Sequence, residues 1–209
     1  MKLPRLFHRP ALAFTLIELL TVISIIALLA ALIMWGTTLA GVKKVHNRVN
    51  TEMNGIQLAI DGFYKQFGFY PASNPDATMT DLNPLFYELT SSVHDGAAKN
   101  FTDIFGVTVS SADIKAKFGV DGFVNSKDAQ STDKSQAQNF MTGLRPDGYA
   151  TMPSDPRFKM LVVPYKGPGG NFNPWHYNST SPTNNPDSYD LWAEVVVAGK
   201  TNIIGNWKD

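Results

Sequence analysis

Apolar side chains follow two different rules along this chain. Residues 14–42 read FTLIELLTVISIIALLAALIMWGTTLAGV, apolar apart from a few hydroxyls and one carboxylate, Glu18. The charge-free run from 19 to 42 predicts a helix that, at about 1.5 Å of rise per residue, spans a hydrocarbon layer about 30 Å thick. Beyond it the pattern turns periodic. Val42, Val45, Val49, Met53, Ile56, Ile60, Phe63 and Phe67 recur at steps of three or four, which places them on one stripe of a helix. Lys44, Asn47, Arg48, Asn50, Glu52, Gln57 and Asp61 fall between them and are expected on a solvated face. One helix is therefore predicted from 14 to about 66, apolar all round in its first half and amphipathic in its second.

Gly68-Phe69-Tyr70-Pro71 reads as the turn that ends it, since Pro71 restricts Tyr70 and excludes further helix. A short helix is expected over 80–89, capped near Asp81 or Asn83 with Pro84 in its first turn. Residues 91–151 show no clear period. Phe101 to Val109 suit a strand or a helical turn, and 126–138 is a polar loop. Strand patterns return at 158–165, 172–177 and 188–198, and the Ile203 segment closes the chain.

Eighteen basic and eighteen acidic residues balance to zero net charge, which argues against a nucleic-acid partner. Charge is unevenly placed, however. A leader, residues 1–13, carries Lys2, Arg5 and Arg9 and no acid, and Lys43, Lys44 and Arg48 follow the apolar run. With no cysteine, an exported domain must fold without disulfides.

No catalytic constellation is legible. His8, His46, His94 and His176 stand in unrelated contexts, without the spacing of metal ligands. Gly167-Pro168-Gly169-Gly170 lacks the Lys-Ser/Thr and the helix of a phosphate loop. The chain reads as a building block and not an enzyme.

Glu18 is the exception that asks for a reason, because an isolated acid in an apolar helix costs about 2.5–3.5 kcal/mol at a bilayer centre. The sequence Ala13-Phe14-Thr15-Leu16-Ile17-Glu18-Leu19-Leu20, between a basic leader and a long apolar run, resembles the class III signal of type IV pilins and type II secretion pseudopilins. Ala13 stands where the family usually has Gly. The Tyr70-Pro71 turn, the strand with Tyr189-Asp190-Leu191-Trp192 and the terminal Ile204-Gly205-Asn206-Trp207 resemble the major pseudopilin.

That resemblance implies an α+β, pilin-like fold: a long N-terminal helix, its first half membrane-spanning, packed on a small C-terminal antiparallel sheet. It implies a cleaved leader (1–13), an assembly helix (14–42), its amphipathic continuation (43–67) and a periplasmic domain (68–209) with an insertion at about 91–151. A prepilin peptidase would cut between Ala13 and Phe14, the Phe14 amine would be methylated, and Glu18 would guide assembly. The partners implied are copies of the chain, minor pseudopilins, an inner-membrane assembly platform and lipid. The place implied is the inner membrane, single-pass, with the C-terminal domain in the periplasm.

In the family a loop before the final Trp segment holds calcium. Here that loop carries Lys200 and no acid, leaving only Asp187 and Asp190 as candidate ligands, with Glu194 further along the strand. Calcium takes six to eight oxygens, so no cofactor is expected. A type IV pilus subunit and a membrane-anchored binding protein that never polymerises remain as alternatives.

Overall fold

A computed structural model describes residues 14–131 and 137–207, with the backbone alone for 32–40. The chain divides into two compact units, Met1–Lys43 and Lys44–Asp209. Its elements are α1 (Leu16–Phe67), α2 (Leu85–Thr90), β1 (Ser92–Asp95), β2 (Asn100–Asp103), β3 (Thr108–Ser110), α3 (Ser111–Phe118), β4 (Ser126–Asp128), β5 (Tyr149–Met152), β6 (Asp155–Leu161), β7 (His176–Asn178), β8 (Asp190–Val197) and β9 (Lys200–Gly205).

Two expectations are corrected. Among the described residues no helix is long and apolar enough to cross a membrane. The described apolar side chains of α1 run from Leu16 to Ala31, about 24 Å of helix at ~1.5 Å per residue, against the ~30 Å of a hydrocarbon core. The membrane-spanning half of the expected fold therefore falls, and with it the single-pass inner-membrane and periplasmic placement. The small C-terminal sheet is the second correction. Three sheets are present: β3-β2-β1-β4, β5-β6 and β7-β8-β9. The first is mixed, because β4 joins β1 in parallel at Ser92 opposite Ser126.

In the second unit the amphipathic stripe of α1 faces inward. Val49, Met53, Ile56, Ile60 and Phe63 are buried, and Val45 and Phe67 pack at its margin. The helix ends at Gly68, whose φ of +82° suits glycine and whose N–H donates to the Tyr64 carbonyl at 2.7 Å. Gly62 has a different role: a Cβ there would lie 2.9 Å from the Phe140 ring, so the ring closes directly over helix backbone.

The stretch without a period is folded. Its β2 and β3 pair antiparallel, with Phe101 opposite Val109. Ser110 caps α3 by accepting the Asp113 N–H, and Gly119, at φ +74°, ends it. Aromatic rings then join this part to α2: Tyr87 stacks on Phe123 at 4.2 Å, and Phe101 meets Phe123 edge-on. The helix α2 is shorter than expected, beginning after Pro84, and every one of its residues is buried. The C-terminal strands pair as an antiparallel meander, β8 central, with Trp192 opposite Gly205 and Val197 opposite Lys200.

Candidate functional site

The expected processing and assembly residues lie at the start of α1. Ala13 falls outside the described residues. Phe14 is exposed. Thr15 precedes the helix and Glu18 sits three residues on, and the two bond reciprocally. Glu18 Oε2 accepts from the Thr15 N–H at 2.9 Å and from the Thr15 hydroxyl at 2.7 Å, while the Glu18 N–H donates to Thr15 Oγ1 at 3.3 Å. This is a capping box, which satisfies N–H groups that the first helical turn leaves without partners. The Thr-x-x-Glu spacing is visible in the sequence, and an acid read as buried in lipid hid it. No bond reaches Glu18 Oε1 among the described residues.

Beyond this cap residues 19–31 present a mainly apolar surface, interrupted by Thr21 and Ser24. Phe14, Leu16, Ile17, Leu19, Leu20, Val22, Ile23, Ile25, Ile26, Leu28 and Leu29 are all exposed. Apolar residues occur at consecutive positions all round the helix, with only Glu18, Thr21 and Ser24 between them, a pattern close to that of helices covered on every side.

The structure separates the two calcium candidates. Asp187 is exposed. Asp190 is buried at the start of β8, and its carboxylate is already enclosed by donors. Oδ2 accepts from the N–H groups of Thr183 and Asn184 at 2.7 and 2.9 Å and from Asn184 Nδ2. Oδ1 accepts from the Asn185 N–H at 2.9 Å and from Asn185 Nδ2. Asn185 Nδ2 also reaches Asn206 Oδ1, which accepts the Leu191 N–H, so one amide network ties this loop to the chain end. Among the described residues no group of three or more His, Cys, Asp or Glu side chains is placed to hold a metal ion.

Two further polar sites were not legible as such. Glu88 is fully buried, and its two oxygens accept from the N–H groups of Val124 and Asn125 at 3.0 and 2.9 Å. Burial outweighs those two bonds and pushes its carboxyl up to about 7. The Asn125 side chain donates to the carbonyls of Glu88 and Gln138 and accepts the Gln138 N–H. The second site is an ion pair between Lys159 on β6 and Asp103 on β2.

A cavity of about 240 Å³ lies in the second unit between α1 and the loop around Leu144. Arg48, Glu52 and Gly55 form its helical wall, Leu144 and Arg145 face them, and Trp175 contributes from beyond. Arg48 Nε donates to Glu52 Oε1 at 2.6 Å, and its Nη2 reaches Asp147 Oδ2 at 3.0 Å. Glu52 was expected on a solvated face. It is instead partly buried, and burial raises its carboxyl above the usual range although Arg48 pulls the other way.

Comparison of the chain with protein-family models, with curated proteins and with solved structures finds no match.

Proposed function

We propose that the chain is a pilin-like structural subunit that polymerises through its N-terminal helix, as the subunits of a type II secretion pseudopilus do. The observation that carries this reading is the exposed apolar surface of residues 14–31, which begins at Phe14 and surrounds the helix. Such a surface loses roughly 25 cal/mol for every Å² left in water. Copies of the same helix, packed side by side, cover it on all faces at once.

Glu18 supports the same reading in a modified form. One of its oxygens caps the helix, and among the described residues no bond reaches the other, which leaves it to meet a cation. That cation is the Phe14 amine of a neighbouring copy, created by cleavage after Ala13, which offsets much of the cost of burying the carboxylate. The capping role and the assembly role thus use different oxygens of one carboxylate.

The chain has no cysteine, so an introduced pair is unique. With Leu16→Cys and Ile26→Cys together, too far apart on one helix to bond each other, oxidation of polymerised subunits yields a ladder of oligomers. Monomers alone would overturn the proposal. A deletion strain that secretes normally yet lacks surface pili would move the assignment to a type IV pilus subunit.

A further inference from the structure

The cavity beside α1 has features that a filament subunit does not require. Its wall is mainly apolar, with Ile56, Leu144, Leu161 and Trp175 among the lining side chains. Glu52 also lines it, and Glu52 Oε2 is buried with no hydrogen-bond partner among the described residues. A buried acceptor without a donor is uncommon and calls for an explanation. Two lining glycines, Gly55 on the helix and Gly143 opposite, have open space where a Cβ would sit.

We propose that this cavity binds a small, neutral, apolar molecule carrying one N–H donor, its body against the apolar wall and its donor on Glu52 Oε2. Volume sets the size. Apolar cavities of about 150 Å³ take up benzene, and about 240 Å³ suits a fused bicyclic ring. Charge sets the neutrality. Arg48 and Arg145 face Glu52 and Asp147 around the rim, with two charges of each sign. Neither a cation nor an anion finds an excess of opposite charge there, and each would lose its hydration. The orphan oxygen sets the donor. Arg48 already occupies Glu52 Oε1, so an N–H on the ligand completes the carboxylate without displacing that bridge.

Indole is the probe, and indene, which has the same shape and no N–H, is its control. On the full-length chain, indole is expected to bind saturably and to shift the amide resonances of Thr51, Ile56 and Leu144. Indene should bind about ten- to a hundredfold more weakly, the range that a hydrogen bond to a charged acceptor supplies. Gly55→Leu and Gly143→Leu, on opposite walls, should each abolish indole binding while circular dichroism stays unchanged. Indole that fails to saturate at millimolar concentration, or that shifts resonances elsewhere, would overturn the site. Equal affinity for indene would overturn the role of Glu52. Because the readout is binding by single chains, it stands or falls separately from polymerisation.

Discussion

Lys159 Nζ lies 2.6 Å from Asp103 Oδ2, and both side chains are almost wholly withdrawn from water. The pair joins β6 to β2, and Asp103 Oδ1 accepts the N–H groups of Phe105 and Val107 at 2.9 Å. Removing one member leaves an uncompensated buried charge. Lys159→Met is therefore expected to lower unfolding free energy by about 3–5 kcal/mol. Urea titration of the wild type and the variant checks it, and a loss below 1 kcal/mol would show that water reaches the pair.

Glu88 makes stability depend on pH near neutrality. Its folded carboxyl titrates at about 7, against 4.5 for the unreacted side chain. Between those values the folded state holds a proton that the unfolded state has released, so stability falls as pH rises. The contribution is complete below about 4.5 and lost as pH climbs through about 7, on the order of 3 kcal/mol in all. Subtracting the Glu88→Gln curve from the wild-type curve isolates it. A flat difference between pH 5 and 8 would remove Glu88 as the cause.

Thr15 and Glu18 permit the cap to be separated from the charge. Thr15→Ala should cost about 1 kcal/mol of helix-start stability, read as faster hydrogen exchange at Leu16 to Glu18. It keeps the carboxylate, and subunits should still cross-link into ladders. Glu18→Ala removes both functions and should leave monomers. Equal failure of the two variants would make the cap, and not a bond to a neighbouring amine, the reason for Glu18.

Asp190 tests the discounting of calcium. Chelator is expected to leave the melting temperature unchanged, whereas Asp190→Ala strands three backbone donors and two amides. A loss on the order of 3 kcal/mol follows, since each buried donor left unpaired costs about 1–3 kcal/mol. A fall of several degrees with chelator would restore the metal.

The legible parts of this molecule are those with a long period. The stripe from Val49 to Phe63 is read from spacing alone, because α1 buries one side through the whole second unit. Alternation likewise marks β8, where Leu191, Ala193 and Val195 are buried. Residues 91–151 resisted because their strands are three or four residues long and hold few buried side chains each. Ring pairs and side-chain bonds to the backbone organise them, and neither has a period. Glu88 was hidden inside a helix buried on all sides, where no polar face signals a special acid. Asp190 was compared with Glu194 on its own strand, while its partners come from the loop before it. The membrane-spanning reading is corrected because no helix among the described residues is long and apolar enough to cross a membrane.

The reciprocal bonds between Thr15 and Glu18 make the beginning of α1 autonomous. Every partner in that cap lies at or after residue 15. Severing the chain just before Phe14 would thus leave every one of these cap bonds in place. Trimming would remove Lys2, Arg5 and Arg9 with the leader and leave the Phe14 amine as the positive charge nearest this cap.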